Sequence, residues 1–199
     1  RGFTMILEEL IETPEQKEYI NAINQLVNRL VHLSEMSLLF TEMRLDNYKL
    51  QLEEVNLNEF VNQHINSIEF QSKNIIFYPS ENEIFIKADP KLLSACLKLI
   101  VDNAIKYSPI GSEIIIESLQ SENKAMLKIS DQGPGFSRKA LKNLYELFSA
   151  DNQKYNKEGF GIGLATAKLI IDTLSSEIKI YNMPEKGACV QLIFPCIIK

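Results

Sequence analysis

The chain has 199 residues, 45% of them hydrophobic and 24% charged, with 21 Lys and Arg against 26 Asp and Glu for a net charge of −5. This is the composition of one large globular domain or two small ones, and it excludes disorder and collagen-like structure. A mildly acidic chain also lacks the basic face that neutralises phosphates, so nucleic acid is not among the expected partners.

Residues 1–12 place Phe3, Ile6, Leu7, Leu10 and Ile11 at spacings of three and four, a helical stripe. Arg1 falls inside that pattern, so the chain reads as a fragment of a longer one. Thr13-Pro14-Glu15-Gln16 is a helix start: Thr13 caps, Pro14 suits the first turn and Gln16 completes a capping box. The helix it opens is expected to reach residue 47, a length of about 50 Å. Tyr19, Ile23, Leu26, Leu30 and Leu33 form one apolar seam, and Ile20, Val27, Val31 and Leu38 form a second. Two seams are wider than a two-stranded coiled coil buries. A helical hairpin over residues 1–47 that pairs with a second copy into a four-helix bundle buries both. Packing on the rest of the same chain is the alternative.

From residue 48 the pattern changes, which predicts a second domain over 48–199. Leu50, Leu52 and Val55 predict a short strand, and residues 57–70 a helix. Residues 75–78 and 84–86 read as strands around the turn Pro79-Ser80-Glu81-Asn82. Asp89-Pro90 caps and opens a helix that runs to Tyr107 and stops before Pro109. Residues 114–116 and 126–129 read as a strand pair. Residues 137–148 read as a helix, 149–160 as a loop and 161–175 as a helix. A closing hairpin is predicted from 177–181 and 188–194, across Pro184-Glu185-Lys186-Gly187. The fold class is therefore α+β.

Cys96, Cys189 and Cys196 are too few and too scattered for a disulfide framework or a zinc cluster, and read as reduced thiols of a cytoplasmic protein. No apolar run approaches the roughly 18 residues that span a bilayer, so any membrane attachment is expected from segments outside this stretch. No signal peptide opens the chain.

Three constellations carry chemistry. Asp131-Gln132-Gly133-Pro134-Gly135 follows a strand. Its carboxylate can accept from an exocyclic amine, and its glycines let backbone approach a flat ligand; a plain turn fits the same residues. Gly159-Phe160-Gly161-Ile162-Gly163 opens a helix, where backbone N–H groups and the dipole favour an anion. A structural turn fits equally, and the dinucleotide fingerprint fits poorly, because a polar loop precedes it where that motif has a strand. Asn103, Lys106 and Tyr107 share one helix face. An amide, an ammonium and a ring suit a metal-bound nucleotide, and a helix C-terminus with a packed Tyr suits them too.

In this order the motifs resemble the sensor histidine kinases of two-component systems. Asn103-Ala104-Ile105-Lys106-Tyr107-Ser108 is similar to their asparagine box, and Asp131-Gln132-Gly133-Pro134-Gly135 to their first glycine box. Tyr145-Glu146-Leu147-Phe148 is similar to their phenylalanine box, and Gly159-Phe160-Gly161-Ile162-Gly163-Leu164 to their second glycine box. Residues 1–47 resemble the end of the dimerisation and phosphotransfer hairpin. Residues 48–199 resemble the Bergerat-type ATP-binding domain shared with gyrase and MutL, an α/β sandwich with a mixed sheet and helices on one face.

The resemblance implies a role for each position. Asn103 would ligate the Mg²⁺ that bridges the phosphates of ATP, Lys106 would contact a phosphate and Tyr107 would line the adenine pocket. Asp131 would accept from the adenine amine, with Gly133 and Gly135 shaping the pocket. Residues 149–160 would form a lid over the nucleotide, with Phe148 of the phenylalanine box just before it and Gly159 of the second glycine box within it. Gly161 and Gly163 would let it close, and Leu164 completes the box. The implied reaction is transfer of the γ-phosphoryl group of ATP to a histidine and then to an aspartate of a response regulator, by a homodimer.

Three departures stand out. The acceptor His motif is expected about ten residues before Arg1, since His32 and His64 do not sit in one and read as ordinary surface or interface histidines. Leu99 stands four before Asn103, where the family usually has Asn, and Ala150 stands where an Arg often follows the phenylalanine box. These two changes admit an alternative: a degenerate nucleotide-binding scaffold that acts by conformation or dimerisation. A gyrase- or chaperone-type ATPase is opposed by the helical hairpin and by the lack of a Glu at position 99.

Overall fold

The computed structural model describes residues 13–45, 48–67, 74–142 and 163–197. The expected helix at 1–12, the phenylalanine box with Phe148, the lid at 149–160 with Gly159, and Gly161 lie outside the described residues. The chain divides into two compact units, residues 1–45 and 46–199.

The first unit is carried by α1 (Pro14–Arg44). Its start is the capping box read from the sequence: Gln16 N donates to Thr13 Oγ1 at 3.3 Å, and Thr13 N donates to Gln16 Oε1 at 3.1 Å. One turn on, Tyr19 OH donates to Glu15 at 3.2 Å. Tyr19, Ile23, Leu26 and Leu30 of the first seam are exposed in the single chain, as are Val31 and Leu38 of the second. Apolar side chains repeating along one helix and left in water call for a partner surface.

The second unit is a mixed sheet with helices. Its strands are β1 (Glu53–Asn56), β2 (Asn74–Tyr78), β3 (Phe85–Ala88), β4 (Glu113–Ser121), β5 (Lys124–Ser130), β6 (Glu177–Asn182) and β7 (Ala188–Ile197). The order is β1-β3-β7-β5-β4-β2, with β6 also paired to β7. Only β2 with β4 is parallel among the described pairings. Among the described residues four helices accompany the sheet: α2 (Leu57–Ser67), α3 (Pro90–Tyr107), α4 (Arg138–Lys142) and α5 (Gly163–Thr173).

Alternation builds the core. Ile116 of β4 lies opposite Ile129 of β5, and Ile129 lies opposite Val190 of β7. Leu127 of β5 and Leu192 of β7 pair in the same way, and all five are buried. Helices α3 and α5 pack together and reach β5 and β6 respectively. Their contact is close because α5 turns Ala165 and Ala167 inward. Cys96 of α3 is buried there, and its thiol points at the carbonyl of Ala167 with a separation of 3.9 Å. Burial pushes that thiol up to about 12, so it is an inert packing group. Cys189 is buried as well, Cys196 is half-buried, and all three are free thiols.

The structure differs from the sequence reading in two places. Leu50 and Leu52 precede β1 and stay exposed, so their alternation with Val55 does not extend the strand. The helix expected over 57–70 is described to Ser67, and residues 68–70 lie outside the described residues. The strands on either side of Pro79-Ser80-Glu81-Asn82 do not pair with each other: β2 joins β4, while β3 joins β1 and β7. A buried hydroxyl holds the segment between them instead. Ser118 Oγ accepts from Ser80 N at 2.8 Å and donates to Asn58 Oδ1 at 2.5 Å.

Asp89 does more than cap α3. Its Oδ1 accepts from Lys91 N and Leu92 N at 3.0 and 3.2 Å. Its Oδ2 accepts from Gln51 N at 2.9 Å and Tyr48 OH at 3.3 Å, so one buried carboxylate ties the entry segment to the helix. Asp89→Ala removes the cap and strands a main-chain donor, at an expected cost of about 2–4 kcal/mol. Urea unfolding at neutral pH measures it; a loss below about 0.5 kcal/mol, the range of a bystander surface change, would contradict this account.

Candidate nucleotide site

The last turns of α3 bring Asn103, Lys106 and Tyr107 to one face, each half-buried. The Lys106 ammonium lies over the Tyr107 ring, 4.8 Å from its centroid, a cation–π contact. Burial raises the Tyr107 hydroxyl above its ordinary pKa, so the ring stays neutral and suited to packing. The helix ends where Ser108 turns to extended backbone, its N–H donating to Ala104 O at 3.1 Å.

Asp131 stands at the end of β5. Its N–H donates to Ala188 O at 2.9 Å, one position beyond the β5–β7 ladder. Its Oδ1 accepts from Gly133 N at 2.7 Å and from Ala188 N at 3.4 Å. Burial raises the carboxyl pKa above its ordinary value, and the two main-chain donors act the other way.

Gly133 joins the two halves. A Cβ there would lie 2.8 Å from Asp131 Oδ1 and 2.9 Å from the Tyr107 carbonyl oxygen. The chain is therefore wedged between the Asp131 carboxylate and the end of α3. Gly163 makes the third junction. It opens α5, and a Cβ on it would lie 3.7 Å from Leu99 Cδ2, one turn before Asn103. Leu164 is half-buried in the same first turn. Asn103, Lys106, Tyr107, Asp131, Gly133, Gly135, Gly163 and Leu164 thus come from three connected elements. Phe148, Gly159 and Gly161 belong to the residues not described.

The hairpin turn at Pro184-Glu185-Lys186-Gly187, expected from the sequence only as a turn, backs the candidate site. At Gly187 φ is +96°, and a Cβ there would fall onto the Asp131 carbonyl, so only glycine lets the turn close on the loop. Asn182 also reaches the loop. Its Oδ1 accepts from Phe136 N at 2.7 Å, and its Nδ2 donates to Phe136 O at 2.8 Å. The available signal was a glycine just before the last strand; its partner, far back in the chain, was not visible. His64, by contrast, is a packing residue. It stacks on Phe60 at 3.9 Å between centroids and bonds the Phe60 carbonyl through its ring nitrogen at 2.8 Å.

The donor set bears on a metal. Among the described residues no three His, Cys, Asp or Glu side chains converge on one point. A cation here would take an amide oxygen from Asn103 and most of its remaining ligands from phosphate and water, which is how Mg²⁺ commonly binds with nucleotides.

Residues 88–197 match the family described as histidine kinase-, DNA gyrase B-, and HSP90-like ATPase. Sensor protein KdpD of Clostridium acetobutylicum is 28% identical over 191 residues, 94% of this chain and 21% of that protein. Sensor histidine kinase SpaK of Bacillus subtilis is 29% identical over 207 residues, 98% of this chain and 43% of that protein. The chain thus spans less than half the length of these relatives. The crystal structure of full-length ShkA in complex with AMPPNP superposes on all of this chain with a TM-score of 0.78, at 20% identity and over 42% of that chain. That likeness shows a shared fold.

Asp131 offers a test of its surroundings that needs no ligand. A carboxyl whose folded pKa is raised binds its proton more tightly folded than unfolded. It therefore costs stability above the folded pKa, and the cost is relieved as pH falls through that value. Asp131→Asn keeps the acceptor oxygen and removes the charge. We expect the variant to unfold at a urea concentration equal to or above that of the parent at pH 7, with the difference shrinking on acidification. A large loss of stability at pH 7 would show that the ionised form is instead stabilised by the fold.

Proposed function

The chain belongs to the histidine kinase-, DNA gyrase B-, and HSP90-like ATPase family, and from that premise we propose that it forms the kinase core of a two-component sensor histidine kinase, with Mg-ATP held between α3 and the loop after β5. The observation that carries this is the Gly133 wedge, which sets the Asp131 carboxylate against the helix bearing Asn103, Lys106 and Tyr107. In this reading Asp131 accepts from the adenine amine and Tyr107 packs on the base. Lys106 meets a phosphate, and Asn103 supplies an amide oxygen to the Mg²⁺. Gly161 and Gly163 let the lid at 149–160 close and present main-chain N–H groups to the phosphates, Leu164 completes the box, Phe148 precedes the lid and Gly159 lies within it. The γ-phosphoryl group then passes to a histidine of the phosphotransfer hairpin and on to the aspartate of a response regulator. The protein contributes mostly positioning and charge stabilisation.

Binding should depend on Asp131 and on Mg²⁺. Asp131→Asn turns an acceptor-only group into one that can present a donor to the adenine amine. That mismatch costs about 1–3 kcal/mol, roughly ten- to hundredfold in affinity. Titration calorimetry with Mg-AMPPNP measures it, and an unchanged affinity removes the adenine assignment.

The exposed seams of α1 support a homodimer through residues 1–47. Sedimentation velocity over a range of concentrations should show self-association of the chain, and a monomer for a chain that begins at residue 47. Monomers in both cases would refute the bundle.

A degenerate scaffold is the second reading, and Leu99 favours it. Leu99 is buried, and a Cβ on Gly163 would lie 3.7 Å from its Cδ2. Leu99→Asn separates the readings in a longer chain that carries the acceptor histidine. Under the kinase reading, phosphoryl labelling by ATP is already present with Leu99. Under the scaffold reading it appears only with Asn.

A further inference from the structure

We propose that Asn182 is a positioning residue of the nucleotide site: it clamps the main chain of Phe136 and so holds the left-handed turn at Gly135 that shapes the far side of the Asp131 loop. The inference rests on the nucleotide reading above and adds to it an element, the β6–β7 hairpin, to which that reading gave no role.

Two independent attachments join this hairpin to the loop. The first is the continued ladder, Asp131 N to Ala188 O, with Ala188 N returning to Asp131 Oδ1. It fixes Asp131 alone. Beyond Asp131 the chain must still run back past Tyr107 at Gly133 and turn at Gly135, where φ is +72°. The bond from Gly133 N to Asp131 Oδ1 holds the start of that path and Pro134 fixes its own φ, but neither sets the turn at Gly135. The Asn182 carboxamide fixes it by meeting both polar groups of one peptide residue, accepting from Phe136 N at 2.7 Å and donating to Phe136 O at 2.8 Å. The paired bonds set orientation as well as position. The fit is close: a Cβ on residue 135 would lie 2.8 Å from Asn182 Oδ1 and 3.2 Å from the Gly187 carbonyl.

Asn suits the place because the task needs one acceptor and one donor on a short, planar group. Asp supplies the acceptor and sets a second oxygen against the Phe136 carbonyl. Ala supplies neither. Asn182 lies on an exposed strand end of β6, so substitution there leaves the core intact. An open loop must be ordered again when a ligand arrives, and the ligand's affinity falls by that cost.

The test uses the chain with Mg-AMPPNP, well below the unfolding transition, together with native-state hydrogen exchange of the free protein. Asn182→Ala should weaken AMPPNP binding about tenfold, the equivalent of one or two lost hydrogen bonds, and Asn182→Asp should fall between Ala and the parent. In the free protein Asn182→Ala should speed exchange at the Phe136 amide and leave the Asp131 amide protected. A brace that serves stability alone would lower the urea midpoint without moving affinity. Parent-like affinity in Asn182→Ala, with AMPPNP still binding the parent, overturns this inference and leaves the nucleotide reading standing. Failure of the parent to bind AMPPNP overturns both.

Discussion

The antiparallel ladder between β5 and β7, from Lys124 opposite Pro195 to Ser130 opposite Cys189, sets the geometry on which the rest of the domain depends. Side chains alternate across a sheet, so a slip of one residue would turn Leu127, Ile129, Val190 and Leu192 away from the helices. The same ladder delivers Asp131, because its next rung is the bond from Asp131 N to Ala188 O. Core and site therefore share one register. A change that let β7 slide would unpack the apolar layer and remove the backing of the carboxylate together.

The described part of the site joins groups that each gain from the others. Asp131 is half-buried, where an ionised oxygen is costly, yet two main-chain donors converge on that oxygen. The ammonium of Lys106 rests over the Tyr107 ring on the half-buried face of α3. The arrangement offers an acceptor, a flat face and a cation within one turn of helix and one loop. Leu99, buried one turn before Asn103, places an apolar group near Gly163 and adds no polar function.

Local chemistry was legible in the sequence wherever a signal and its partner sit close together. Thr13-Pro14-Glu15-Gln16 and Asp89-Pro90 opened helices as expected, because a cap needs only the next few backbone N–H groups. Helical spacing was enough to put Asn103, Lys106 and Tyr107 on one helix face. What failed was pairing at a distance. Residues 75–78 and 84–86 carry strand patterns, but no periodicity tells β2 to seek β4, parallel and well along the chain, in preference to its neighbour. The alternation through Leu50 and Leu52 misled for a related reason: an apolar residue marks a strand only where something covers it. Asn182 and Gly187 were invisible in their site role because that role exists only once a hairpin folds back on a loop some 50 residues earlier, a separation that shows as 46 residues in the Asn182–Phe136 bonds.

β7 is the last described strand in chain order, yet it pairs with β3, β5 and β6. A ribosome releases β5 well before β7, so the growing chain carries an open strand edge flanked by apolar residues such as Leu127 and Ile129. Such an edge invites pairing with whatever strand is near, including one on a neighbouring nascent chain. β5 has only β4 to shield it during that interval, through a tight connection at Glu122 and Asn123. Synthesis speed across residues 131–188 therefore sets how long the sheet waits for its centre, and silent changes that slow that stretch would lower the yield of folded protein without altering a single contact in it.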